Sequence, residues 1–308
     1  MHRSELGYPM PYHVEDVPDS ELGAGRLINP EGIAAALSIP THGTVFDLEP
    51  GWFPEMPIHP KAPPFQLLTY RTPRGFRIQK DVDSFRDEIN PTGTAWIDEL
   101  ILGTAHCGAH IDALSHVTCG VPGEWHGGGS VEADLGDFGP TKSDASKLPP
   151  IIARGVLLDV AGYVGVEELP ERYRIGATDI EGTIADQGAE LRQGDVVLIR
   201  TGHMRRWPEG IMFTSGQAPG MVLDGAQALA ERKPLALGSD TTGFETRPES
   251  GVPNTVHMYL LIENGIYIME WLYLEELASA RAYEFLFIAL PLKMRGATGS
   301  WIRPVCVT

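Results

Sequence analysis

Short apolar runs rich in valine and isoleucine alternate with polar, glycine-rich or proline-rich turns from residue 44 onward. Runs of this length, bounded by turn residues, are typical of β-strands. The clearest runs lie at residues 155–160 (Gly-Val-Leu-Leu-Asp-Val), 195–200 (Asp-Val-Val-Leu-Ile-Arg) and 284–290 (Glu-Phe-Leu-Phe-Ile-Ala-Leu). The pattern therefore predicts a domain in which strands predominate.

Helical signals are fewer. Residues 178–187 begin with Thr178, which we predict as an N-cap, and acidic side chains occupy the first turn, where the helix dipole favours negative charge. Residues 224–232 begin with Asp224 as a predicted cap and continue with alanines. The sum of strands and helices predicts a mixed α/β fold, and no repeat of 20–50 residues is visible.

The first 43 residues are rich in proline and glycine, and we predict that residues 1–43 form an N-terminal extension. Composition leaves open whether it packs on its own domain, packs on a neighbouring subunit or is disordered. The chain of 308 residues exceeds the ~250 to 300 at which single cores stop growing, so length allows one large domain with an extension or two small domains.

Composition narrows the class of protein. The chain is 43% hydrophobic and 21% charged, as globular proteins are, and no run of about 18 apolar residues suits a membrane span. The beginning of the chain lacks the apolar core of a secretory signal, and three cysteines do not make a disulfide framework, so we expect a cytoplasmic protein. A net charge of −17 tells against nucleic acid and anionic membranes as partners. A small-molecule substrate remains as the expected partner.

Residues 106–116 read His-Cys-Gly-Ala-His-Ile-Asp-Ala-Leu-Ser-His and contain His106, His110, Asp112 and His116. Imidazole nitrogen and carboxylate oxygen are ligands that zinc and manganese accept. On a strand, His110 and Asp112 point to the same face, with Cα atoms roughly 6 to 7 Å apart. His106 would lie roughly 13 Å from His110 on a straight strand, so we expect a bend at Gly108. A helix would rotate Asp112 away from the histidines.

Any one of these histidines alone reads most simply as an ordinary core or surface residue. Four metal-binding side chains within eleven residues favour a metal site instead. A closed structural zinc site usually recruits cysteine pairs, whereas Cys107 and Cys119 lack C-x2-C partners. An open catalytic site fits the pattern better.

The motif resembles the signature H-x-G-T-H-x-D-x-P-x-H of the metal-dependent cyclase and bacterial kynurenine formamidase family, which includes arylformamidases, isatin hydrolases and some lactone hydrolases. Ala109 stands in place of Thr and Leu114 in place of Pro. The similarity continues over residues 44–308, a single cyclase-like domain, and its other parts are the segments 44–48, 194–202, 237–240, 257–270 and 296–300. The resemblance implies a swivelling β/β/α fold with a mixed central sheet. We also expect a homodimer or homotetramer, since extended arms such as the N-terminal extension often contribute to contacts between subunits.

The resemblance also implies roles for individual residues. His106, His110 and Asp112 would hold a first ion, and Asp112 would bridge to a second ion completed by His257 and Glu270. Zinc and manganese are both compatible with these ligands, as one or two ions per subunit. His116 would act as general base, because an imidazole with an unperturbed pKa near ~6.5 can exchange protons at physiological pH.

Glu270 and His257 also have interpretations that involve no metal. Glu270 lies in an apolar run, where a buried carboxylate needs a partner. That partner is either a metal or an arginine such as Arg200 or Arg303, and the residues alone do not decide between them. His257, taken alone, reads as a core histidine.

The predicted function is metal-dependent hydrolysis of a non-peptide C–N bond, in an arylformamide or cyclic amide. An ion lowers the pKa of its water toward ~7 and polarises the carbonyl under attack. A lactone hydrolase using the same site is the alternative, and a protein that binds metal or a small ligand without turnover is an alternative of another class. Candidate substrate-binding residues are aromatic or polar side chains near expected loops, each of which also reads as structural: Trp52, Phe53, Phe65, Trp125, His126 and His203.

Overall fold

The computed structural model describes residues 19–85, 89–121, 123–209, 217–247 and 255–308. Its strands, in chain order, are β1 (Val45–Asp47), β2 (Gln66–Arg71), β3 (Asp98–Leu102), β4 (His110–Asp112), β5 (Glu124–Trp125), β6 (Gly129–Ser130), β7 (Leu135–Gly136), β8 (Gly139–Pro140), β9 (Ile151–Asp159), β10 (Arg174–Ile175), β11 (Val196–Arg200), β12 (Gly220–Met221), β13 (Ala236–Ser239), β14 (Tyr267–Glu270), β15 (Glu284–Ala289), β16 (Gly299–Trp301) and β17 (Val305–Val307).

The α-helices are short and lie between the strands. In chain order they are α1 (Asp19–Leu22), α2 (Pro30–Leu37), α3 (Pro73–Gln79), α4 (Val131–Asp134), α5 (Val160–Val164), α6 (Ala177–Gln187), α7 (Leu223–Ala230), α8 (Thr255–His257) and α9 (Glu275–Ser279). Helix α8 continues as a π-helix over Met258–Glu263, and 3-10 turns span Gly23–Leu27, Asp83–Phe85, Ala145–Lys147 and His203–Arg206.

Nine of the described strands form one mixed sheet in the order β1-β17-β15-β9-β11-β13-β14-β4-β16. Strands β9, β11, β13 and β14 run parallel, and the strands on either side pair antiparallel. All five residues of β11 are buried, as expected for a parallel strand covered on both faces. The expectation of a single mixed α/β domain with a mixed central sheet is confirmed.

The predicted strands are confirmed with small changes at their ends. The run at 155–160 belongs to the longer β9, and the runs at 195–200 and 284–290 correspond to β11 and β15. In β9, the consecutive residues Val156, Leu157 and Leu158 are at most 1% exposed. Because successive side chains of a strand point to opposite faces, both faces of the sheet are covered there.

Both predicted helix caps are wrong. Helix α6 begins at Ala177, one residue before Thr178, and the carboxylate of Asp179 accepts the Gly176 N–H at 3.0 Å. Helix α7 begins at Leu223, which places Asp224 inside its first turn, where its carboxylate accepts the Ala177 N–H of α6 at 3.2 Å. Each acid binds an orphan N–H at a helix start, but Asp224 does so for the neighbouring helix.

Residues 19–43 of the predicted extension pack on the chain's own sheet, and residues 1–18 lie outside the described residues. The Tyr267 hydroxyl of β14 donates to the Leu22 carbonyl, and the Ala24 N–H donates to the Gly265 carbonyl at 2.7 Å. Helix α2 packs on β9 and β15. A boundary at residue 43 stays a prediction. None of the described helices is both long and apolar enough to cross a bilayer.

Candidate metal centre

Strand β4 carries two of the candidate ligands to one face of the sheet. His110 and Asp112 occupy its ends and are 1% exposed. His110 is directly paired with Glu270 of β14, and Asp112 with Gly299 of β16. Directly paired residues of antiparallel strands share a face, so Glu270 lies beside His110. The prediction that His110 and Asp112 share a strand face is confirmed.

The predicted bend at Gly108 is also confirmed, because this residue has φ +61°, in the left-handed region. A side chain there would collide with Trp52, since a Cβ would lie 2.4 Å from the indole Nε1. The bend brings His106 back toward β4, where its Nδ1 lies 3.0 Å from Asp112 Oδ1. Gly299 leaves the space for this ring, because a Cβ there would lie 2.5 Å from His106 Cε1.

Two groups of potential ligands meet at Asp112. In the first, Asp112 Oδ1 lies 3.0 Å from His106 Nδ1 and 3.7 Å from His110 Nε2. In the second, Asp112 Oδ2 lies 4.0 Å from His257 Nε2, which in turn lies 3.2 Å from Glu270 Oε1. Within each group the ligand atoms all lie within 4.8 Å of one another. The structure therefore places one carboxylate oxygen toward each group, as the bridging arrangement requires.

Each of the three imidazoles has its other nitrogen held by a neighbour. His110 Nδ1 donates to the Gly108 carbonyl at 2.9 Å, and His257 Nδ1 donates to Glu245 Oε2 at 3.1 Å. His106 Nε2 lies 3.0 Å from the hydroxyl of Thr298. An outer partner of this kind fixes ring orientation and leaves the inner nitrogen free to bind a metal.

The donors fit a divalent cation. Among the described residues, Asp112 Oδ2 is a buried carboxylate oxygen without a hydrogen-bond partner, which is costly unless a cation or proton satisfies it. His110 Nε2 also faces Glu270 Oε2 at 3.6 Å, although its proton is on Nδ1. A nitrogen lone pair and a carboxylate facing each other repel unless a positive charge lies between them. Nitrogen and oxygen donors of this type suit zinc and manganese.

The charges of the buried groups lead to the same conclusion. Burial opposes ionisation of Asp112, but its electrostatic interaction with His116 and its hydrogen bond with His106 hold the pKa of Asp112 well below its usual range. Burial also opposes protonation of His257, yet hydrogen bonds to Glu245 and Glu270 raise its pKa to about 10. The carboxylates thus demand a nearby positive charge, which either a proton on His257 or a bound cation supplies.

His116 lies against the first group rather than within it. Its ring stacks on His106 with centroids 3.9 Å apart and an interplanar angle of 25°. Burial is the main reason that the pKa of His116 falls to about 3, so the expectation of an unperturbed pKa is wrong. The ring is therefore neutral at physiological pH, and its role as general base stays a prediction.

The arginine alternative for Glu270 is wrong. Arg200 makes a two-pronged pair with Glu275 at 2.9 and 2.8 Å and also binds Asp159 at 2.8 Å. Arg303 pairs with Asp47 at 2.6 Å. Within the described residues, Glu270 instead faces the imidazoles of His110 at 3.6 Å and His257 at 3.2 Å.

Three of the predicted substrate-binding residues, Trp52, Phe53 and Phe65, pack beside the segment that carries His106 and Cys107. Trp52 donates its indole N–H to the Cys107 carbonyl at 3.0 Å. The ring centroids of Trp52 and Phe65 lie 6.0 Å and 5.8 Å from the ring centroid of Trp301. Trp301 is paired with His110 and so shares the face of the ligands. Phe53 belongs to the same apolar cluster and packs edge-on against Trp207 at 5.9 Å.

The other three predicted substrate-binding residues lie in different surroundings. Trp125 is 3% exposed and packs over Gly129 in the small β5–β6 hairpin. His126 donates from Nδ1 to the Ile262 carbonyl at 2.8 Å, tying that hairpin to the π-helix. His203 lines a cavity of about 580 Å³ together with Glu168 and Arg206, and no candidate ligand borders that cavity. Contact of these three side chains with substrate stays a prediction.

Sequence reasoning missed several residues around the centre. Glu245 and Thr298 orient His257 and His106, and Trp207 and Trp301 complete the aromatic surroundings. Thr298 falls within the segment 296–300 that carried the family resemblance, which was the one available signal. Glu245 follows no periodic pattern and lies 12 residues from His257, so only the fold reveals their contact.

Comparison with known proteins agrees with this architecture. Among solved structures, one described as a novel cyclase superposes with a TM-score of 0.81 at 29% identity, covering 94% of this chain and 97% of its own. Isatin hydrolase A from Labrenzia aggregata, bound to benzyl benzoate, gives a TM-score of 0.62 at 21% identity, over 86% of this chain and 94% of that one. A protein described as a predicted metal-dependent hydrolase from Bacillus stearothermophilus gives 0.55 at 20% identity, over 86% and 98%.

The last two likenesses show the fold alone, and a search of curated protein sequences finds no significant match. The decisive comparison is a sequence model of the family named Cyclase, described as "Putative cyclase". It matches residues 36–246, which is more than half of the 308 residues. This chain therefore belongs to the cyclase family.

Proposed function

We propose that this protein is a metal-dependent hydrolase that opens a non-peptide C–N bond, in an arylformamide or a cyclic amide. The observation that carries the proposal is Asp112, whose two oxygens face two ligand groups at 3.0 and 4.0 Å. Structural neighbours described as isatin hydrolase and metal-dependent hydrolase support the same class of reaction. The proposed ions are zinc or manganese, one or two per subunit.

In this proposal His106, His110 and Asp112 hold one ion, and Asp112, His257 and Glu270 hold the other. A bound divalent ion supplies Lewis acidity, which makes water a nucleophile near neutrality and polarises a carbonyl. The ligands themselves are preorganised, because each imidazole is fixed by a hydrogen bond from its other nitrogen. The protein therefore does not need to reorganise when the ion binds.

His116 moves the proton in this proposal. Its ring is neutral and stacks at 3.9 Å on His106, beside the first ligand group. It accepts a proton from the attacking water and returns it to the leaving nitrogen, so no covalent enzyme intermediate is required. A pKa well below the solution value makes the ring a weak base but a good acid, which suits the second of these two transfers.

The aromatic surroundings favour a flat, apolar substrate. Trp52, Phe65 and Trp301 form contiguous ring contacts on the ligand face, and Phe53 and Trp207 extend them. Aromatic faces of this kind stack on an aryl ring, each pair contributing about 0.5 to 1.5 kcal/mol beyond its buried area. An arylformamide or an isatin-like ring presents such a face next to its C–N bond.

The test is hydrolysis of N-formylkynurenine, isatin and a simple aryl lactone by chelator-stripped protein, with zinc or manganese added back singly. We expect metal-restored turnover of one of the two amides. Turnover of the lactone alone would replace C–N by C–O hydrolysis in the same site. Stable metal binding without turnover of any of the three would contradict the proposed substrate class.

Variants separate catalysis from binding. His116→Ala should keep its bound metal and lose roughly 10²- to 10⁴-fold in turnover, the range for a general acid–base group. His42→Ala is the matched control, because His42 is an exposed histidine outside the candidate centre. Wild-type turnover by His116→Ala would remove the proposed role of this residue.

A further inference from the structure

The segment after β1 holds the bend that carries His106 back to β4. Glu49 is half-buried, and its Oε2 accepts the Ala109 N–H at 3.0 Å. Trp52, three residues later, donates its indole N–H to the Cys107 carbonyl at 3.0 Å. The two hydrogen bonds therefore reach the chain on either side of Gly108, one before the bend and one after it.

Glu49 accepts a hydrogen bond that a strand backbone would ordinarily accept. Because Trp301 pairs with His110, Ala109 and Ile302 are the next residues in register, and the Ile302 N–H donates to the Ala109 carbonyl at 3.1 Å. In a regular antiparallel pair of this type, the Ala109 N–H would donate back to the Ile302 carbonyl. It donates to Glu49 instead, so a side chain from outside the sheet holds the end of β4.

The bend needs these two partners because it lies away from water. Cys107 is 1% exposed and Ala109 is 0% exposed, while Gly108 between them has φ +61°. A buried N–H or carbonyl without a partner costs about 1 to 3 kcal/mol. Glu49 and Trp52 each satisfy one such group, and both groups take these positions only when the chain is bent.

We propose that Glu49 is a positioning residue for the first ligand group, and that Glu49 and Trp52 together form a clamp that holds the Gly108 bend. The bend places His106 Nδ1 3.0 Å from Asp112 Oδ1. An open clamp frees His106 to move away from that oxygen. The inference rests on the ion binding of the proposed function, but it does not require hydrolysis.

The experiment is zinc titration of the metal-free full chain against a chromophoric chelator, with bound metal counted by mass spectrometry. We expect Glu49→Ala to lower zinc affinity at one site roughly 10- to 100-fold, the range for a residue that orients metal ligands, and to leave the other site unchanged. Glu49→Gln should keep most of the affinity, because its amide oxygen can still accept the Ala109 N–H. Burial raises the pKa of Glu49 to about 8, so this substitution removes little charge at pH 7.

Asp195→Ala is the matched control. Asp195 is 3% exposed and accepts the Arg192 N–H at 2.7 Å, so its removal also leaves a backbone N–H without its partner. Asp195 precedes β11, at the opposite end of the parallel strands from Glu270. We expect this control to bind zinc as wild type does.

Trp52→Phe tests the other half of the clamp, because it keeps an aromatic ring but loses the hydrogen bond to the Cys107 carbonyl. We expect a loss of zinc affinity at the same site as in Glu49→Ala. A clamp opens when either contact is released, so the double variant should bind zinc about as weakly as the weaker single variant. Fully additive losses would show two independent effects and would overturn the clamp.

Wild-type zinc affinity in Glu49→Ala would overturn the proposal, and so would an equal loss in Asp195→Ala. If Glu49→Ala does not fold, Trp52→Phe decides, since a loss at one site supports the clamp and wild-type affinity overturns it. Amide hydrogen exchange of residues 106–110 in metal-free protein is a further test, because it should be faster in Trp52→Phe than in wild type, and equal rates would overturn the clamp.

The two proposals fail in different ways. A wild-type protein that binds zinc and hydrolyses none of the test substrates would contradict the proposed reaction, while the zinc affinities of the variants would still support or overturn the clamp. A wild-type protein that binds no zinc would overturn both.

Discussion

Glu245 offers the sharpest test of the metal centre, because it touches a candidate ligand without being one. A single oxygen, Oε2, accepts the backbone N–H groups of Val256 and His257 at 2.7 and 2.9 Å and the His257 Nδ1–H at 3.1 Å. Its side chain is 8% exposed. These bonds fix both the backbone and the ring of His257, so that Nε2 points toward Asp112 and Glu270.

The perturbation is Glu245→Gln, which preserves shape and can still accept the N–H bonds through its amide oxygen. The substitution removes the negative charge of Glu245. In wild type that charge strengthens the hydrogen bond from His257 Nδ1 and raises the basicity of the ligating nitrogen Nε2. Loss of such an outer partner weakens metal affinity by roughly 10- to 100-fold, or about 1.4 to 2.8 kcal/mol. We expect this loss for the ion held by His257, with the His106 and His110 group keeping its affinity.

The assay is titration of metal-free protein with zinc against a chromophoric chelator, with bound metal counted by mass spectrometry. Asp240→Asn is the matched control, because Asp240 is a fully buried carboxylate that accepts backbone N–H groups from Thr201 and Gly202 and touches no candidate ligand. We expect the control to lower stability while leaving zinc affinity unchanged.

Two results would refute the reasoning. Zinc affinity and stoichiometry equal to wild type in Glu245→Gln would show that His257 binds no ion, or that its orientation does not depend on Glu245. An equal loss in Asp240→Asn would show that the effect is a general loss of structure. Glu245→Ala should also cost about 1 to 3 kcal/mol of stability, since it leaves buried N–H groups unpaired.

Three further predictions follow from the charges of the structure. Asp112→Asn should abolish retention of both ions on gel filtration while circular dichroism stays native, and metal content equal to wild type would contradict a shared ligand. Arg200→Ala should lower the free energy of unfolding in urea by about 1 to 3 kcal/mol, because it removes the charged donor that the partly buried carboxylates of Asp159 and Glu275 share. An unchanged free energy of unfolding would argue against this. Burial raises the pKa of Asp240 from its ordinary 3.8 to about 7, so on raising the pH the unfolded chain loses this proton at a lower pH than the folded protein does. The unfolding free energy of wild type should therefore fall relative to that of Asp240→Asn as pH rises from 3.8 to about 7. A pH-independent difference between the two proteins would contradict that shift.

Local pattern predicted those parts of the protein that depend on neighbouring residues. The apolar runs identified β9, β11 and β15, because a buried strand must be apolar along its length. The spacing of His110 and Asp112 and the glycine between His106 and His110 predicted a shared face and a bend, since both follow from backbone geometry. The predicted helix caps were wrong because an acid near a helix start accepts a hydrogen bond from whichever N–H group the fold brings closest. Asp224 of α7, for example, accepts the N–H of Ala177 in α6.

By itself the sequence determined the strand-rich pattern, the motif at 106–116 and, through family resemblance, the likeness to the cyclase family. Only the tertiary structure decided that Glu270 faces His110 rather than an arginine, that Glu245 holds His257, and that burial lowers the pKa of His116 to about 3. These facts depend on contacts between residues far apart in the chain and on the exclusion of water from the centre. Both arise when β4, β14 and β16 pair, and no local pattern of residue types encodes them.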